Sequence, residues 1–331
     1  MTFFMLPKEI SCNRNQSLFR METIRGMIMA EYQIFTDATC DMNVDILDDH
    51  HIEVLPMEVT MDDGNSFLHF PDFRNYAADI FYKKLAEGVL AHTSQITPPK
   101  FIEAFHPYLE KGIDILYVAF SSGLSNTYQS ALLSRNELCE EFPERKIIVI
   151  DSLAASTGEG IFALRAADNQ AAGMTIEENA QWLEAHKMEP MHYFTVGDLF
   201  FLHKGGRVSA GTAIVGSALN IKPVMYVDAA GKLIVKTKAH GRKASLRKLY
   251  DLTRQTLVNG EEQTIFVAHA DCLPEAENIA ALIRQNIPCK DVVITRVGPV
   301  VGTHTGPSLL GKRRSLLNYG SLAKHEKTPS R

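Results

Sequence analysis

Five short stretches of this sequence collect hydroxyl, amide, imidazole and guanidinium groups beside glycine or proline. In the first, Thr93-Ser94-Gln95 precedes Thr97-Pro98-Pro99. Thr97 suits the N-cap of a following helix, with the prolines in its first turn, where a missing N–H costs nothing. The hydroxyls of Thr93 and Ser94 are then left to donate to a carboxylate, near the spare N–H groups of a helix start. Phe120-Ser121-Ser122-Gly123-Leu124-Ser125-Asn126-Thr127 is a second hydroxyl-rich turn. Gly123 permits close approach of a ligand to the backbone, and Ser122 and Ser125 supply donors without formal charge. A serine-rich helix cap accounts for the same residues, and both readings stand.

Lys204-Gly205-Gly206-Arg207 joins two helical stretches through a glycine pair, and the Arg207 guanidinium can fork two donors toward a carboxylate or phosphate. Asn220-Ile221-Lys222-Pro223 adds an amide and a cation. Gly302-Thr303-His304-Thr305-Gly306-Pro307 follows what reads as the last strand. Imidazole there can bind an anion or shuttle a proton near neutral pH, and flanking threonines and glycines argue against buried packing for His304. Thr36-Asp37-Ala38-Thr39-Cys40-Asp41 reads as a capping segment, through Thr39 or Asp41, with direct ligand contact as the alternative.

Other chemistries lack their signatures. The glycines and lysine of Gly306 to Lys312 have phosphate-loop spacing, but Arg313 stands where Ser or Thr would hold magnesium. No G-x-S-x-G, H-E-x-x-H or dinucleotide fingerprint occurs, so no cofactor is expected. The 34 basic and 39 acidic residues are intermixed with a net charge of −5, unlike a nucleic-acid binder. Cys12, Cys40, Cys139, Cys272 and Cys289 are scattered without C-x-x-C spacing, which points to neither a disulfide framework nor structural zinc and fits a reducing cytoplasm. No run approaches the ~20 apolar residues of a membrane span.

Placing these groups requires strand ends and turns. Apolar runs at 34–36, 52–59, 115–120 and 146–150 alternate with helical periods at 80–87, 99–111 and 126–141, which implies a parallel sheet with helices on both faces. A helical zone at 166–187 and helices at 199–203 and 210–219 precede strands at 224–227 and 233–237, whose connection contains Gly231 and suits a hairpin. Helix, strand, helix and strand follow at 242–257, 264–268, 274–286 and 292–297. The expected class is α/β in two domains. Residues 1–31 form a leader or precede a true start at Met29, 32–165 an N-terminal parallel-sheet α/β/α domain, 166–311 a C-terminal α/β domain with a mixed, partly antiparallel sheet, and 312–331 a solvated polar tail.

In order and spacing, Thr93-Ser94-Gln95, Ser121-Ser122-Gly123-Leu124-Ser125, Lys204-Gly205-Gly206-Arg207, Asn220-Ile221-Lys222-Pro223 and His304-Thr305-Gly306-Pro307 resemble the DegV family from about Gln33 to Gly311. Members are bacterial proteins of two α/β domains that bind a long-chain fatty acid between them. The resemblance implies that Thr93 and Ser125 hold the carboxylate and that Arg207 and His304 lie near it and present it, with Ser94, Ser122, Gly123 and Thr305 in support. Some members serve as the lipid-binding subunit of fatty acid kinase, whose separate ATP-binding subunit makes an acyl phosphate. This chain is then expected to be a cytoplasmic, non-catalytic carrier, with a fatty acid as ligand, an ATP-dependent kinase subunit as partner, and neither nucleic acid nor membrane integration. Burying about fourteen methylenes at ~0.8 kcal/mol each gives on the order of 11 kcal/mol before ordering costs, enough to retain a lipid. The alternative is an enzyme in which Ser125 or His304 performs acyl or phosphoryl transfer on a small acidic substrate. Ser308 departs from the glycine usual in the family, and polar residues after Gly311 replace its apolar ending.

Overall fold

The computed structural model describes residues 32–189, 192–197, 199–212 and 220–314. The expected leader 1–31, positions 213–219 of an expected helix and residues 315–331 of the expected tail lie outside the described residues. The first half runs β1 (Tyr32–Asp37), α1 (Val44–Asp49), β2 (Glu53–Leu55), β3 (Met57–Met61), β4 (Ser66–His69), α2 (Ala78–Ala86), β5 (Ala91–Thr93), α3 (Pro98–Leu109), β6 (Asp114–Ala119), α4 (Thr127–Glu141), β7 (Ile147–Asp151), α5 (Thr157–Ala171) and α6 (Ile176–His186).

Strands β2-β1-β6-β7 form a parallel sheet in that order. All six residues of β6 are buried, and alternation sends them to opposite faces. Ile115 and Tyr117 join Phe101 and Phe105 of α3, while Leu116 and Val118 join Ile161 and Phe162 of α5. Helices therefore cover both faces, which is why the strand is continuously apolar. Pro56 divides the apolar run 52–59 that reads as one strand. Lacking an N–H, it ends the ladder of β2, and β3 starts a separate antiparallel sheet, β4-β3-β5. The expected helical zone 166–187 is two helices, broken at Gly173 with φ of +88°; Thr175 and Glu178 form a capping box for α6. Residues 165 and 166 lie inside α5, which packs on β1 and β6.

The second half runs β8 (Tyr193–Thr195), α7 (Phe200–Lys204), β9 (Ile221–Val227), β10 (Leu233–His240), α8 (Arg242–Thr256), β11 (Thr264–His269), α9 (Leu273–Asn286), β12 (Asp291–Arg296), α10 (Pro299–Thr305) and β13 (Leu310–Arg314). Its sheet has the order β10-β9-β8-β13-β11-β12, parallel only between β11 and β12. Tyr193, Val224, Ile265 and Val267 face Leu249 and Tyr250 of α8 and Ile279 and Ile283 of α9. The alternate residues Phe194, Met225 and Ala268 share a core with Phe101 and Tyr117 of the first half. One face thus carries the long helices and the other is turned toward the N-terminal half.

Two expectations are corrected here. His304 lies in helix α10, and β12 is not the last strand. Residues 312–314, read as the start of a solvated tail, belong to β13, whose backbone pairs with β8 and β11. Leu310 anchors that strand, fully buried, and the ladder needs only backbone groups, so a basic sequence does not exclude it. Among the described residues no helix is long and apolar enough to cross a membrane.

Ser308 has φ of +71° in the turn before β13, and its N–H donates to Ala270 O at 2.7 Å. Positive φ makes glycine the better fit at this position. Ser308→Gly is expected to stabilise the fold by about 1 kcal/mol by removing that strain. Denaturant titration checks this, and an unchanged or lowered midpoint contradicts it.

Candidate ligand-binding site

A cavity of about 770 Å³, part of it open to solvent, lies between the face of the second sheet away from its long helices and the carboxyl ends of the first. Met57, Leu124, Phe194, Leu202, Val227 and Leu309 make most of the wall apolar. Polar side chains gather where Thr93, Ser125, Arg207, His304 and Thr305 meet it. Two further recesses adjoin this region, one bordered by Gln95, Ser122, Gly123 and Asn126, the other by His92, Lys204, Gly205 and Thr303. Thr93 and Arg207 border all three spaces.

Each group is set by a strand or helix end. Thr93 ends β5, and its Oγ1 lies 2.8 Å from His304 Nε2 on α10. Either atom can donate, depending on the imidazole tautomer. The other ring nitrogen, Nδ1, is buried without a partner against Gly205, where any side chain would collide with the imidazole. Burial, and secondarily the positive charge of Arg207, push His304 down to about 3 from the ordinary 6.5, so the ring is neutral at physiological pH. Arg207 is half-buried, donates through Nε to Leu124 O at 3.2 Å and through Nη1 to Gly205 O, and among the described residues no carboxylate pairs with it. A partly desolvated cation held by two carbonyl groups attracts an anion.

Ser125 Oγ lies 2.9 Å from Thr127 Oγ1 and accepts from Thr127 N–H at 3.2 Å, which orients it at the start of α4. Beside it, the missing Cβ of Gly123 admits another backbone: a side chain there would stand 2.5 Å from Ala230 O of the β9–β10 hairpin. Ser121 Oγ donates to Gly231 O at 2.8 Å, so this turn is fastened to the second half. Ser122 borders the polar recess, its N–H donating to Asp151 Oδ1 at 3.1 Å. Thr305 borders the cavity while its hydroxyl donates to Val301 O at 3.1 Å. Ser94 is exposed and borders none of the three spaces. Lys222 likewise stands apart, donating to Gly197 O.

The segment after β1 departs from its expected capping role. Asn43, not Thr39 or Asp41, precedes α1, and Asp41 Oδ1 instead accepts from Gly298 N at 2.7 Å, another link between the halves. Thr39 lines the cavity and contacts two fully buried acids, Asp37 and Glu159, the latter at 2.6 Å. Thr36 Oγ1 lies 2.8 Å from Glu159 Oε1 and 3.0 Å from Val118 O. The hydroxyls of Thr36 and Thr39 together face four acceptor oxygens with one proton each, so a carboxyl proton completes the set. Desolvation raises both acids, Glu159 well above the ordinary range, while Tyr117 OH donates to Asp37 at 2.7 Å. Glu159 therefore holds the proton and the pair carries a single charge. Ser156, on the cavity wall, escaped sequence reasoning, and Thr39 on the same wall reads first as a cap, although each follows a strand of the same parallel sheet as Ser125, at the end where such sheets place ligands. Among the described residues, no group of three or more His, Cys, Asp or Glu side chains is arranged to hold a metal.

Residues 31–312 match the family described as "Uncharacterised protein, DegV family". A "DegV domain-containing protein" of Clostridium perfringens is 41% identical over 278 residues, 84% of this chain and 95% of that protein. Among solved structures, a DegV family protein from Ruminococcus gnavus with vaccenic acid superposes with a TM-score of 0.75 at 28% identity, covering 85% of this chain and 99% of its own. A structure from Thermus thermophilus, reported as "Fatty Acid Binding of a DegV family Protein", gives a TM-score of 0.77 at 26% identity, covering 87% of this chain and 100% of its own.

Because His304 is held neutral in the folded state, the unfolded chain binds more protons below the ordinary 6.5, and stability falls as pH drops from there toward about 3. His69, held down to about 4 by burial, adds to the same fall. His304→Gln, which keeps a donor near Thr93, is expected to lose less stability than the parent between about pH 7 and about pH 4.5. Thermal unfolding at several pH values checks this; parallel curves for the two proteins contradict it.

Proposed function

The chain belongs to the DegV family, and from that membership and the geometry of its cavity we propose that it binds a long-chain fatty acid between its halves and offers the carboxylate to a partner enzyme. The observation that carries this is the pairing of an apolar chamber with one polar corner, where Thr93, Ser125 and an ion-unpaired Arg207 converge. The chamber takes the alkyl chain, whose burial supplies affinity, and the corner orients the head group. Thr93 and Ser125 donate to the carboxylate, with Ser122 and Gly123 beside them. Arg207 balances the charge and, with His304, faces the recess through which a second protein reaches it. The partner is an ATP-dependent fatty acid kinase subunit, consistent with a cytoplasmic setting, and the product is an acyl phosphate. Direct attack by Ser125 gains no support from the geometry, since its hydroxyl pairs with Thr127 and has no contact with His304.

Extraction of lipid from the purified protein, followed by mass spectrometry, is expected to release a fatty acid; none bound, and none taken up when supplied, overturns the proposal. Ser125→Ala is expected to weaken fatty-acid retention about tenfold through loss of a charge-assisted hydrogen bond. Arg207→Ala is expected to leave binding within about threefold while cutting kinase-dependent acyl phosphate formation by at least about tenfold. Titration with fatty acid and a phosphorylation assay with the kinase separate these effects, and parental behaviour of both variants removes the assigned roles.

A further inference from the structure

Two polar groups in the chamber stand outside the corner assigned to the carboxylate, and one of them, Thr39, is already hydrogen-bonded to Asp37 and Glu159. Ser156 is 5% exposed, lines the apolar chamber but neither polar recess, and its Oγ is buried without a hydrogen-bond partner. It occupies the N-cap of α5, where a serine hydroxyl ordinarily accepts the N–H two or three residues on. Here it does not: with φ of +56° and ψ of −140°, no side-chain cap forms, and the N–H groups of Glu159 and Gly160 reach Ser156 O at 3.0 and 3.3 Å. The backbone adopts a conformation rare for a residue with a side chain, and the hydroxyl is left off its capping duty.

We propose that Ser156 is a specificity site for an oxygen carried within the alkyl chain of the ligand, so that the fatty acids bound include those with an in-chain hydroxyl. This rests on fatty-acid binding at the same cavity. A plain methylene opposite Ser156 leaves a buried hydroxyl unpaired, whereas a ligand hydroxyl both accepts from it and donates to it. The start of α5 favours an electron-rich group over a cation. A second carboxylate is disfavoured, because Asp37 and Glu159 lie directly behind Thr39 on the same wall. A neutral oxygen satisfies all three conditions.

The delipidated full chain is titrated with octadecanoic acid and with hydroxyoctadecanoic acids bearing the hydroxyl at successive chain positions. A narrow set of positions is expected to bind at least as tightly as octadecanoic acid, and Ser156→Gly, which suits the positive φ, is expected to weaken that set on the order of tenfold while leaving octadecanoic acid within about twofold. Equal weakening at every hydroxyl position in the parent, or a positional preference that survives Ser156→Gly, overturns the proposal even if the variant's stability changes. Failure of the parent to bind octadecanoic acid at all would instead remove the underlying fatty-acid reading.

Discussion

The six-stranded sheet has its long helices on one face only, and its other face must be buried by something else. The apolar residues Phe194, Met225 and Ala268 on that face cannot be left in water at ~25 cal/mol per Å² of exposed apolar surface. The N-terminal half covers them, fastened by Asp41 to Gly298 and by the Ser121 turn to the Gly231 hairpin. Coverage is incomplete, since strand ends and turns meet this face where a flat helix could have lain. The gap between them is the chamber. Its apolar character follows from the same alternation that builds the core.

The polar corner is the complement of that arrangement. Backbone at strand ends needs hydrogen-bond partners, and short hydroxyl side chains supply them at little cost in volume. Some of those hydroxyls are spent on the fold: Ser121 on Gly231 O, and Thr305 on Val301 O. Thr93, Arg207 and His304 retain capacity directed at the cavity or its recesses. With His304 neutral, Arg207 is the charged side chain of that corner.

The alternation of β6 and the helices around it was legible in the sequence because both faces are buried, and period and composition then agree. The hairpin at Gly231, with φ of +70°, was legible for a local reason as well. Pro56 was visible, but its effect was not, since continuous apolar residues on either side of it conceal a change of sheet. β13 was hidden by Lys312-Arg313-Arg314, because strand pairing uses backbone groups that sequence polarity does not report. Of the site, the hydroxyl turns, Arg207 and His304 stood out by type and by flanking glycines. Thr39 reads as an ordinary cap and nothing in the sequence marks Ser156, so only three-dimensional placement puts both on the cavity wall.

The position of β13 also governs how the molecule can come into being. β8 belongs to one set of strands, β10-β9-β8, and β11 to another, β11-β12, and among the described residues β13 is the strand that joins them. Its partners in β8 lie more than a hundred residues earlier in the chain, as Leu310 opposite Thr195 illustrates. Such long-range closure is slow and comes late. On a ribosome, the two sets emerge as separate open sheets, each with a raw edge, until residues 310–314 clear the exit tunnel. The chamber, which Leu309 and Gly311 help to line, has no finished floor before then.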